Sequence, residues 1–101
     1  MLKKKFLKNK CKVTFELPAP LAKEANEVYL VGDFNDWKKG KNKLEQKHGD
    51  RFDVIVELPL NQEFQFLYLI DDKYYSDWEA DKYIPSPFSG DNSVVTTYVI
   101  R

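Results

Sequence analysis

The chain has 101 residues, 43% of them hydrophobic and 15% aromatic, with 16 basic and 16 acidic side chains. That size holds one hydrophobic core and no second module, and no apolar run reaches the length of a membrane span. The neutral total conceals a division: residues 1–12 carry six lysines and no acid, leaving ten basic against sixteen acidic residues in the remainder, and an acidic body speaks against a nucleic-acid-binding face.

MLKKKFLKNK, residues 1–10, is basic but lacks the continuous apolar stretch of a secretory signal, and residues 1–11 are expected to form a flexible, solvated arm. Cys11 is alone, which rules out an intrachain disulfide and fits a reducing, cytoplasmic setting. CKVTFEL then alternates Val13, Phe15 and Leu17 on one face, the signature of a half-buried strand, and the prolines of PAP at 18–20 stop it. LAKEANE is the one short stretch of helix-forming composition. EVYLVG is a second strand, entering GDFNDW at 32–37. A polar stretch rich in Lys and Asn follows, with a turn at HGD, 48–50. RFDVIVEL sets Phe52, Val54, Val56 and Leu58 on one side, PLNQ is the next turn, and FQFLYLI completes a hairpin. In this fourth strand Phe66, Tyr68 and Ile70 share one face and Gln65, Leu67 and Leu69 the other. DDKYYSDW opens with a turn and adds a short fifth strand; EADKYIPSPFSGDN reads as loop, and SVVTTYVI as a β-branched final strand. About seven short antiparallel strands with almost no helix predict an all-β, immunoglobulin-like sandwich. Without a Cys, Trp, Cys pattern, it is of the early-set kind rather than the antibody kind.

Catalytic groups are not assembled. His48 is the only histidine and sits in an expected turn, Asp71 and Asp72 are adjacent turn residues whose side chains diverge, and no glycine-rich phosphate loop occurs. One His and one Cys do not make a metal site, and nothing calls for a cofactor. The expectation is therefore a binding module, not an enzyme.

Aromatics supply the binding chemistry. Trp37 closes GDFNDW ahead of Lys38, Lys39, Lys41 and Lys43, one of Tyr74 and Tyr75 must point outward after the turn, and Trp78 and Phe88 fall in or near loops. Each has a core-filling reading too, but converging exposed aromatics signal recognition. A sugar chain suits them, because its C–H face packs on an aromatic ring while amides and carboxylates bond its hydroxyls. Within GDFNDW, Gly32 is expected to permit the bend, Phe34 to anchor inward, Asn35 and Asp36 to bond the turn's backbone, and Trp37 to be presented outward.

VYLVGDFNDW, then Leu44, RFDVIVELP, EFQFLYLIDD and GDNSVV, resembles carbohydrate-binding module family 48, the isoamylase N-terminal early-set domains. That family includes the glycogen-binding domain of the AMP-activated protein kinase beta subunit. The resemblance covers about residues 12–100 and looks most like the small stand-alone bacterial members. It implies a domain over residues 12–101 that binds an α-glucan polysaccharide or maltooligosaccharide, with no membrane or nucleic-acid partner. It also implies that Trp37 stacks on glucose and that Tyr74 is the second stacking aromatic, with Tyr75 one residue away. Phe88 would reach the glucan from the last loop, and Asn92 would bond sugar hydroxyls. Two positions depart from the family pattern: Leu67 replaces a sugar-bonding lysine, for which the lysines after Trp37, Lys38 first, are candidate substitutes, and Gly90 replaces a threonine. An alternative follows from Leu67 and Leu69, whose apolar face suits an immunoglobulin-like interaction module docking another protein, such as a glucan-active enzyme encoded elsewhere.

Overall fold

The alternation becomes ten strands in the computed structural model, which describes residues 2–46, 51–86 and 90–99. In chain order these are β1 (Leu2–Phe6), β2 (Lys10–Glu16), β3 (Val28–Gly32), β4 (Asn42–Lys43), β5 (Glu45–Gln46), β6 (Phe52–Pro59), β7 (Glu63–Ile70), β8 (Lys73–Tyr75), β9 (Lys82–Ser86) and β10 (Gly90–Thr96). One helical turn, α1 (Ala19–Ala22), follows the prolines, and a 3-10 turn spans Asp33–Asn35. The expected turn at 48–50, with His48, and the loop residue Phe88 lie outside the described residues.

Two antiparallel sheets face each other, one ordered β1-β2-β6-β5 and the other β4-β3-β7-β10-β9, with β8 added to β7 beyond the end of β10. This is the all-β, early-set sandwich. Inward residues of β2 (Val13, Phe15), β3 (Val28, Leu30), β7 (Phe66, Tyr68, Ile70) and β10 (Val95) form a single core. Its centre is aromatic: Phe15 meets Phe66 edge-on with centroids 5.0 Å apart, and Phe66 meets Tyr68 at 5.8 Å. Edge-to-face rings add about 0.5–1.5 kcal/mol beyond the area they bury. Leu44, buried between β4 and β5, marks where the chain crosses from one sheet to the other.

The expected hairpin of RFDVIVEL and FQFLYLI does not form: β6 pairs with β2 and β5 in the first sheet and β7 with β3 and β10 in the second, so the PLNQ turn carries the chain from one sheet to the other. Other segments differ from expectation too. Residues 2–6, expected in a flexible arm, are an edge strand in register with β2 from Leu2↔Phe15 to Phe6↔Cys11. Lys4 explains part of this, because its ammonium lies 2.6 Å from Asp81, whose carboxylate also accepts the Thr96 amide, tying β1 to the second sheet. Residues 82–86, expected as loop, form β9. Pro85 is tolerated there because β9 is the outermost strand of its sheet. The helical signal shrinks to one turn, as Pro18 and Pro20 restrict the backbone around it.

Candidate carbohydrate-binding site

β3 runs into GDFNDW, and the geometry separates the roles of its residues. Gly32 is extended, with φ −176°, so its requirement is space, not an unusual backbone. A Cβ there would sit 2.6 Å from the Gln65 carbonyl oxygen and 2.9 Å from both Phe34 Cε2 and Phe66 Cβ. Glycine therefore lets the strands approach, which corrects the expectation that it serves the bend. Phe34 does turn inward, its ring 5.6 Å from that of Phe15.

Asn35 is buried and closes the turn. Its Oδ1 accepts from the Gly32 amide at 3.0 Å, and its Nδ2 donates to the Leu30 carbonyl and to Asn42 Oδ1, each at 2.8 Å. One side-chain amide thereby fastens the turn to β3 and β4. Asp36 and Trp37 then adopt left-handed backbones with φ of 58° and 57°, an arrangement costing of order 1–3 kcal/mol per residue for side chains other than glycine. It is held by the Trp37 amide donating to the Gly32 carbonyl at 3.0 Å and the Lys38 amide donating to the Asn35 carbonyl at 3.2 Å. Trp37 is carried out of the core and left 37% exposed.

Asp33 orients the indole. Its Oδ1 accepts from Trp37 Nε1 at 3.0 Å while its Oδ2 accepts from the Gln65 amide at 2.7 Å, and Gln65 Oε1 accepts from Asn92 Nδ2 at 3.0 Å. A line of hydrogen bonds therefore runs from Trp37 through Asp33 and Gln65 to Asn92, crossing from β3 over β7 to β10. Sequence reasoning missed Asp33 and Gln65 as supports. The available signal was that Gln65 shares the outward set of β7 with Leu67 and Leu69.

The turn between β7 and β8 settles which tyrosine faces out. Asp71 and Asp72 both have positive φ, 46° and 71°, the pattern of a type I′ hairpin turn. It pairs Tyr74 with Leu69 and Tyr75 with Tyr68. Since Tyr68 points into the core, Tyr75 does too and packs against it, whereas Tyr74 is on the outer face and 54% exposed. Tyr75 is thus separated from Tyr74 by the sheet itself. On the outer face, Gln65 and Leu69 are four residues apart, so the strip from the Asn92 end to Tyr74 is about 13 Å long.

The family model for the glycogen recognition site of AMP-activated protein kinase matches residues 20–100. The chain belongs to that glycogen-recognition family. Its members are non-catalytic carbohydrate-binding modules. The match runs from α1 through β10, taking in the whole second sheet, and β1 and β2 precede it. No curated protein matches the chain.

The floor of this glycogen-recognition domain's outer face is apolar and covered. Leu67 and Leu69 lie on the outer face of β7 and yet are only 4% and 6% exposed, so the open apolar patch expected there is absent. Lys38 is exposed on the turn after Trp37, and Gly90 has φ +76° with no atom near the place a Cβ would take. Trp78, 57% exposed, follows Asp77, a buried residue whose carboxylate accepts from the Tyr68 hydroxyl at 2.6 Å. Burial, and next the charge of Asp77, push the Tyr68 hydroxyl well above the usual tyrosine range and keep it a donor. Among the described residues no group of three or more His, Cys, Asp or Glu is placed to hold a metal.

Proposed function

We propose that the outer face of the second sheet binds an α-glucan chain of the glycogen or starch type without catalysing any reaction on it. Trp37 and Tyr74 are the stacking platforms, and Asn92 bonds sugar hydroxyls. The observation that carries this reading is the state of Trp37. A large apolar side chain is held outside the core on a left-handed backbone, with its ring nitrogen tied to Asp33, an arrangement that costs stability and serves presentation. Pre-ordering the ring lowers the entropy lost on binding. A shallow, open strip fits a polymer better than a small molecule, which calls for an enclosing pocket.

The low exposure of Leu67 and Leu69 removes the exposed apolar face on which docking of another protein would rest. Leu67 and Leu69 therefore do not themselves support a glucan-active enzyme as partner. The direct test is co-sedimentation with glycogen. The protein is expected to pellet with the polymer and to be released by excess maltooligosaccharide. Retention of a folded sample in the supernatant at every glycogen concentration would contradict the proposal.

A further inference from the structure

Leu67 cannot bond a hydroxyl, yet a lysine does stand over the same face. Lys39, two residues beyond Trp37, places its Nζ 5.3 Å from the centroid of the Tyr29 ring and 3.2 Å from Asp72 Oδ1. Tyr29 is paired with Leu69, which is paired with Tyr74. Tyr29, Leu69 and Tyr74 thus form one outward row across three strands, about 10 Å wide, and Leu67 lies one diagonal step from Tyr29. Beside this row opens a hollow of ≈ 410 Å³ lined by Asn26, Glu27, Tyr29, Lys39, Asp71 and Asp72.

Resting on the glucan-binding reading above, we propose that Lys39 and Asp72 form a polar subsite that bonds neighbouring hydroxyls of one glucose residue, taking over the contact that Leu67 has lost. Three observations support it. First, Lys39 is pre-positioned, by a cation–π contact with Tyr29 and by its ion pair with Asp72, so little freedom is left to lose on binding. Second, the partners keep bonding capacity: an ammonium has three donors, of which Asp72 takes one, and the side chains of Lys39 and Asp72 are 50% and 84% exposed. Each sugar hydroxyl both donates and accepts, so an adjacent ammonium and carboxylate can satisfy a pair of them. Third, the pair adds little to folding, because exposed ion pairs contribute about 0–1 kcal/mol. Asp71 differs from its neighbour: its carboxylate accepts the amides of Asn26 and Glu27 and builds the wall of the hollow. Tyr29 is a positioning residue that acts through Lys39. The hydrogen bond from Lys39 to Asp72 also raises the lysine above its ordinary range, favouring the charged form.

The test is calorimetric titration with maltoheptaose of the wild type, Lys39→Met and Trp37→Ala, each checked for folding by its thermal transition. Methionine keeps the apolar stem and removes the charge. Lys39→Met is expected to bind about tenfold more weakly, the loss of one charge-assisted hydrogen bond. If it binds within about twofold of the wild type while Trp37→Ala loses binding, the subsite is wrong and the glucan-binding face stands. If the wild type takes up no maltoheptaose, or Trp37→Ala binds as the wild type does, the face and the subsite fall together.

Discussion

Trp37→Ala is expected to weaken glycogen binding by at least about 2 kcal/mol, roughly thirtyfold, the size of effect seen when a central aromatic anchor is removed. The prediction follows from where the side chain is, not from its size. Trp37 does not belong to the core cluster, and its ring nitrogen bonds an exposed carboxylate. Truncation therefore removes a platform and leaves the sandwich standing. The bonds that shape the turn are made by the Asn35 side chain and by the backbones of Gly32, Trp37 and Lys38, all of which alanine preserves. A thermal transition close to that of the wild type, with polymer binding gone, is the expected pair of results. A large fall in the transition temperature would instead mean that Trp37 is a packing residue.

Gly32→Ala is expected to do the opposite: unsettle the fold and lose binding as a consequence. Overpacking a filled site costs about 1–3 kcal/mol. Here the new Cβ meets three atoms inside 3.0 Å, one a backbone carbonyl oxygen and one a Cβ on the paired strand, neither of which can swing away. A cost of about 3 kcal/mol or more is expected, a large share of the 5–15 kcal/mol typical of a domain. At about 4–8 °C for each kcal/mol in a chain of this size, the transition should fall by more than about 10 °C. Differential scanning calorimetry checks it. A fall of only a degree or two would show that β3 and β7 can part to admit a methyl group.

The sandwich was legible because its inward residues alternate. Val13 and Phe15, Val28 and Leu30, and Phe66, Tyr68 and Ile70 all face the core as their spacing requires. The turn at 32–37 was legible in part: the inward Phe34, the turn-closing Asn35 and the outward Trp37 follow from the motif, whereas Gly32 is needed for close packing against β7 and not for the bend. What the sequence hid depends on partners distant along the chain. The strand at 2–6 exists because β2 offers it a free edge and Lys4 finds Asp81, 77 residues away, and a run of lysines carries no sign of either. Pro85 marks a loop by composition, but an outermost strand can hold it. The choice between Tyr74 and Tyr75 turned on the hairpin geometry of Asp71 and Asp72, since alternation fixes that the two differ and not which one faces out. Leu67 and Leu69 show the limit of the same rule: their face was correct, while their exposure depends on what surrounds them in space. Asp33 carries no sign of its role within the motif, because the residue that its second oxygen bonds lies 32 positions on, in another strand.

On the proposed function, one face, the outer side of the sheet built on β3 and β7, is where this chain meets a glucan. Mapping amide and indole NMR signals during a maltoheptaose titration tests it most directly. Shifts are expected to concentrate at Asp33, Trp37 (its indole NH included), Gln65, Leu67, Leu69, Tyr74 and Asn92, with Lys3, Lys5, Lys12 and Ile55 on the opposite sheet silent. Shifts confined to that opposite sheet, or none at all in a folded sample, would contradict it.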